Sequence, residues 1–94
     1  MGADTQKETV ERILMFLKQM RGLDQGRAVT GLRLLREFVG EFMPSDPMER
    51  WHAWLAISQL CAGLSANLAD PANDARWETA IGAVESWYAT FPKE

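Results

Sequence analysis

The sequence predicts an all-α fold, a compact antiparallel arrangement of four helices over residues 5–22, 26–43, 47–69 and 73–91. Three observations predict it. Apolar residues recur at three- and four-residue spacing in four segments. Proline or glycine separates those segments. No segment alternates with period two, so no strand is expected. Connections of only a few residues favour antiparallel neighbours. A chain of 94 residues, 47% of them hydrophobic, makes one helical domain, residues 1–94, with one modest core.

The first helix begins at Asp4 or Thr5. Thr5 and Glu8 have the spacing of a capping box, in which each side chain satisfies a free backbone donor at the helix start. Its apolar face is Val10, Ile13, Leu14, Leu17 and Met20, with Phe16 at the margin, and Gly22 is the expected terminator. The second helix puts Ala28, Leu32, Leu35, Phe38, Val39 and Phe42 on one face and stops at Pro44. Met15 and Leu34 fall on outward faces. Asp46 and Pro47 then give an N-cap and a first helical residue for the third helix, with Glu49 three residues after the cap. Asp70–Pro71 repeats that start signal, with Asn73 or Asp74 as competing caps. The fourth helix carries Trp77, Ala80, Ile81, Val84, Trp87, Tyr88 and Phe91 on one face and ends at Pro92. Residues 32, 35, 38, 39 and 42 echo residues 81, 84, 87, 88 and 91 at a constant offset, a match that amphipathic periodicity alone can generate.

The third helix is the unusual one. Charged residues make up 24% of the chain, yet residues 53–69 contain none. This stretch is at the short limit for a membrane span and includes Ser58, Gln59, Ser65 and Asn67, so a buried soluble helix is expected and no membrane association. At about 100° per residue, Trp54, Ile57, Leu60, Cys61, Leu64 and Leu68 form a stripe of large apolar groups. Trp51, Leu55, Ser58, Ala62, Ser65, Ala66 and Ala69 form a second, smaller stripe. His52, Ala56, Gln59, Gly63 and Asn67 fill the remaining arc. A helix with so little polarity needs neighbours on most sides. Either it lies centrally among the other three, or one stripe packs on another chain. The second arrangement makes the chain a homodimer, with Ser58, Ala62, Ser65 and Ala66 at the contact. The outer arc of the fourth helix, Thr79, Gly82, Ser86 and Ala89, is also small and thinly charged.

Charge is unevenly spread. Residues 12–36 contain Arg12, Lys18, Arg21, Arg27, Arg33 and Arg36 against one acid, Asp24, although the whole chain has a net charge of −3. Lys18, Arg21, Arg27, Arg33 and Arg36 are therefore the candidate residues for an anion or partner surface, a basic elbow around the turn between helices one and two. The plain alternative is a solvated face, with Arg33 paired to Glu37 one turn on. Glu78 and Glu85 share a face of helix four and could meet the elbow of a second chain.

No catalytic signature appears. His52 is the only histidine and Cys61 the only cysteine. Nine helical residues separate them by about 13 Å along the axis and place them on different faces, which makes a shared metal site poor. Cys61 lacks the basic neighbour that lowers a thiol pKa. No metal, cofactor or enzymatic activity is expected. The four tryptophans read as core anchors, with Arg50–Trp51 and Arg76–Trp77 near helix starts. One cysteine excludes an internal disulfide, and the start MGADTQKETVER lacks the regions of a signal peptide, so a cytoplasmic setting is expected. The function this pattern suggests is a small protein-interaction module: an adaptor, an anti-activator or a stoichiometric inhibitor of a larger partner, a description that a phage or bacterial antagonist protein would fit. The alternative is binding of nucleic acid or a phosphorylated ligand at the basic elbow.

Overall fold

Four helices form, and each arises where apolar spacing and end signals agree. The computed structural model describes residues 2–42 and 48–91, with side chains over 6–41 and 48–91. The helices are α1 (Gly2–Arg21), α2 (Gln25–Phe42), α3 (Met48–Ala66) and α4 (Ala72–Ala89), and the described residues include no strand. Each helix packs on two others: α1 on α2 and α4, α3 on α2 and α4. Among the described residues α3 does not pack on α1, so it is one corner of a ring and not the centre of a bundle. The α3–α4 pair is the most closely packed and the α1–α2 pair the least.

Helix ends explain the connections. Helix α1 starts at Gly2, so Thr5 lies inside it and not before it; the Thr5 side chain is outside the described set. Gly22 follows the last helical residue without adopting a left-handed backbone, and its N–H donates to the Gln19 carbonyl at 3.0 Å. Asp24 then caps α2: its carboxylate accepts from the Gly26 N–H at 3.1 Å, and its carbonyl from Arg27 and Ala28. Pro44, Asp46, Pro47 and Pro92, and the side chain of Phe42, lie outside the described residues.

Helix α4 starts beside the Asp70–Pro71 signal but one residue later than it predicts, at Ala72, with Pro71 in the cap position. The Asp70 carboxylate accepts from the Ala72 N–H at 2.9 Å and from Arg76 Nη1 at 3.3 Å. The backbone bond first, and the guanidinium second, hold its pKa below the ordinary carboxylate value. Asn73 is no cap. It is buried, donates from Nδ2 to the Asn67 carbonyl at 2.9 Å and accepts from Arg76 Nη1 at 2.7 Å. This network closes the α3–α4 turn. It also favours Gly63, because a Cβ there would sit 2.8 Å from the Asn73 Oδ1 and 2.7 Å from the Arg76 Cδ, and those side chains would have to shift.

One cluster of buried side chains fills the ring. It takes Val10, Ile13 and Leu17 from α1, Ala28, Val29, Leu32, Leu35 and Val39 from α2, and Trp77, Ala80, Val84 and Trp87 from α4. From α3 come Ala53, Ala56, Ile57, Leu60, Cys61 and Leu64. The third helix therefore buries one face only, a correction to the expected order of its stripes. Trp54 is half-buried and Leu68 exposed, while Ala56, expected outside, is buried. Small residues win the inner positions facing α4 because the two helices approach closely there. The apparent echo between α2 and α4 also fails at its centre, since Phe38 is 47% exposed and its counterpart Trp87 is fully buried.

Candidate functional site

The basic elbow is built from the end of α1, the Gly22–Asp24 turn and the start of α2. Its first two cations are already engaged within the chain. Arg21 Nη1 donates to the Glu78 carboxylate at 2.9 Å, and Lys18 Nζ lies 3.7 Å from the Glu85 carboxylate. Glu78 and Glu85 therefore face this chain's own elbow. Both pairs are largely exposed, and such pairs contribute roughly 0–1 kcal/mol each. Arg27 and Arg33 are exposed and Arg36 is half-buried. At 100° per residue, Arg27 lies about 120° from Arg33 and about 180° from Arg36 around α2. The five candidate cations thus do not converge on one surface.

A polar cavity of about 290 Å³ lies between the elbow and the α3–α4 turn. Arg21, Gln25, Asp70, Asn73, Asp74 and Trp77 line it. Its inner groups mostly bond one another. The Trp77 indole N–H donates to Gln25 Oε1 at 3.2 Å, and Gln25 Nε2 donates to the Leu23 carbonyl. The cavity walls therefore tie the two turns together.

Two surfaces are apolar. The first is a groove of about 370 Å³ between α1 and α2, lined by Thr9, Arg12, Ile13, Phe16, Leu35 and Phe38. Met15 and Leu34 are exposed on the same two helices, as expected, Leu34 at 63%. The second is the outward face of α3. Met48 (66%), Trp51 (49%) and Leu55 (50%) are exposed along its first half. Ala62, Ser65 and Ala66 are exposed along its second half, and Ser58 is half-buried with its hydroxyl donating to the Trp54 carbonyl at 2.8 Å. The four residues expected at a subunit contact thus share the surface side of α3. Trp51 is held in place: it meets Trp54 edge-to-face with centroids 5.9 Å apart, and the Arg50 guanidinium lies 4.8 Å from its ring centre.

Arg50 is the residue whose role the linear sequence does not reveal. It is 3% exposed, and Nη1 donates to the Val39 carbonyl at 2.8 Å and the Gly40 carbonyl at 3.1 Å. Those carbonyls belong to the last turn of α2, where helix carbonyls look outside the helix for donors. A cation also suits the negative end of that helix. Gly40 leaves room for the α3 side, since a Cβ there would lie 3.1 Å from Trp54 Nε1. The signal was the short connection: it brings the start of α3 back beside the end of α2, within reach of an arginine one turn in.

His52 is exposed and Cys61 buried, and they share no face. Among the described residues no group of three or more His, Cys, Asp or Glu is placed to hold a metal ion. No helix among them is long and apolar enough to cross a membrane. Of the four tryptophans expected as core anchors, Trp77 and Trp87 are core, while Trp54 is half-buried and Trp51 exposed; Tyr88 links α4 to α1 by donating to the Glu11 carboxylate at 3.1 Å. That bond to an anion raises the Tyr88 pKa above its ordinary value. Comparison with protein-family models, with curated proteins and with solved structures finds no match to this chain.

Proposed function

We propose that this chain is a non-enzymatic protein-interaction module, an adaptor, anti-activator or stoichiometric inhibitor of a larger protein, and that it also pairs with itself as a homodimer. One observation carries the reading. The ring of helices has a filled core of its own, yet large apolar side chains remain exposed on two separate surfaces. Exposed apolar patches of this kind mark interaction sites more often than they serve the fold. The α1–α2 groove suits a side chain or helix face from the larger partner, with Arg12 at its wall to meet an acidic group. The outward face of α3 suits the second copy.

Binding of nucleic acid or a phosphorylated ligand is the rival reading, and the intramolecular pairs of Lys18 and Arg21 weigh against it. Affinity capture from native lysate, with and without nuclease, separates the two. The interaction reading expects a protein that survives nuclease and is lost on Leu34→Glu or Arg12→Glu, with helicity unchanged. Capture that disappears with nuclease, or that those substitutions leave intact, overturns it.

A further inference from the structure

The outward face of α3 is graded in size along its length. Met48, Trp51 and Leu55 are large and occupy its first half; Ala62, Ser65 and Ala66 are small and occupy its second, with Ser58 between them. Residues 51, 55, 58, 62 and 65 are spaced alternately by four and three, the seam spacing of helices that cross at a shallow angle. We propose that two copies of the chain pair through this seam, α3 antiparallel to α3, about a two-fold axis near Ser58. The inference rests on the self-association proposed above and specifies its geometry.

A two-fold axis there sets the large half of each seam against the small half of the other. Trp51 of one copy meets Ser65 of the second copy, and Leu55 meets Ala62. Each knob faces a position with room for it. A parallel pairing would instead stack Trp51 on Trp51 and leave the small halves facing a gap. Charge points the same way. A self-complementary contact places residues near their own symmetry mates, so a charged seam would repel itself; this seam carries no charge. Trp51 suits the role of a knob because its ring is held by Trp54 and Arg50.

The size of the contact sets its strength. The nineteen residues of α3 span about 28 Å. One helix pair of that length falls below the roughly 1,200–2,000 Å² of a standard interface, so the dimer belongs to the weak, concentration-dependent class.

Disulfide trapping tests the register. Single cysteines are introduced in a Cys61→Ala background, and each variant is checked for wild-type helicity. A disulfide needs Cα atoms within about 7 Å. Ser58→Cys lies at the axis and is expected to link to itself. Trp51→Cys is displaced from its own mate by about 21 Å along the helix and is expected not to. In a mixture, Leu55→Cys is expected to link to Ala62→Cys in preference to either linking to itself. Self-linking of Trp51→Cys and of Leu55→Cys as fast as Ser58→Cys overturns the antiparallel seam. A wild type that sediments as a monomer at high micromolar concentration removes self-association itself. A dimer by sedimentation with no linkage at Ser58 removes this geometry while leaving the broader proposal standing.

Discussion

The two faces of α3 are both almost free of charge, yet they meet different surroundings. Ala53, Ala56, Ile57, Leu60, Cys61 and Leu64 are buried within the ring of helices. Met48, Trp51, Leu55, Ala62, Ser65 and Ala66 are exposed. Lack of polarity along a helix therefore does not identify which face the fold uses. The inner face is set by shape: alanines 53 and 56 and Gly63 let α4 and the core come close, and the aliphatic residues fill what remains. Among the described residues, no other helix packs over the outer face. Its apolar residues are unexplained by the packing of the four helices, and association is the use proposed for them.

The largest test of this contrast lies inside. Leu64 is 1% exposed, and Leu64→Ala is expected to cost about 2–5 kcal/mol in a denaturant titration, through lost burial and a partial cavity. A loss well under 1 kcal/mol would mean that the inner face is misassigned. Arg50→Ala comes next. It removes the Arg50 bonds to the Val39 and Gly40 carbonyls, and an expected loss of about 1–3 kcal/mol should appear in the same titration. Arg50→Lys restores charge without the planar fork and should recover only part of it.

Gly63→Ala probes the α4 side of the inner face. A better helix former gains up to about 1 kcal/mol there. Overpacking against Asn73 and Arg76 costs about 1–3 kcal/mol, so a net loss of about 1 kcal/mol is expected by thermal or chemical denaturation. A more stable variant would show that the α3–α4 turn yields easily.

The smallest effect lies where both faces end, at Asp70. Its folded-state pKa is lowered, so its contribution is present above the unfolded pKa and is lost as pH falls through the folded value. Asp70→Asn keeps an acceptor for the Ala72 N–H but removes the charge facing Arg76. The stability difference between wild type and this variant should be full at neutral pH and shrink as pH falls below the ordinary aspartate value of about 3.9 and through the lowered folded one. A difference that stays constant would show that the charge is not what Asp70 contributes.

Much of the fold was legible because its signals are local. Four periodic segments gave four helices, Asp70–Pro71 gave the start of α4, and Met15 and Leu34 were placed outward from spacing alone. One error was local, and the others came from contacts between segments. Leu68 looked like the end of an apolar stripe, but α3 stops at Ala66 and the Asn67 side chain accepts from the Ala69 N–H, turning the chain away. The wheel of a single helix gives small residues such as Ala56 and Gly63 no weight, while a helix pair at close approach needs them. The basic elbow looked unopposed along the sequence because Glu78 and Glu85 lie on α4, more than fifty residues away in the chain. Arg50 was invisible for the same reason: its partners are the last carbonyls of another helix.

The central claim is that the outward stripe of α3 holds two chains together and is not required to hold one chain folded. Ala62→Glu tests it most directly, by sedimentation and circular dichroism on the same samples. Ala62 is exposed in the single chain, so a glutamate there should leave stability within about 0.5 kcal/mol of wild type. In the dimer it would bury an unpaired carboxylate opposite Leu55 of the second copy, at a cost of several kcal/mol. The expected result is a wild type that dimerises with rising concentration and a variant that stays a folded, fully helical monomer. An unfolded variant would place the stripe inside the chain's own core, and a wild type that remains monomeric at high micromolar concentration would contradict the account.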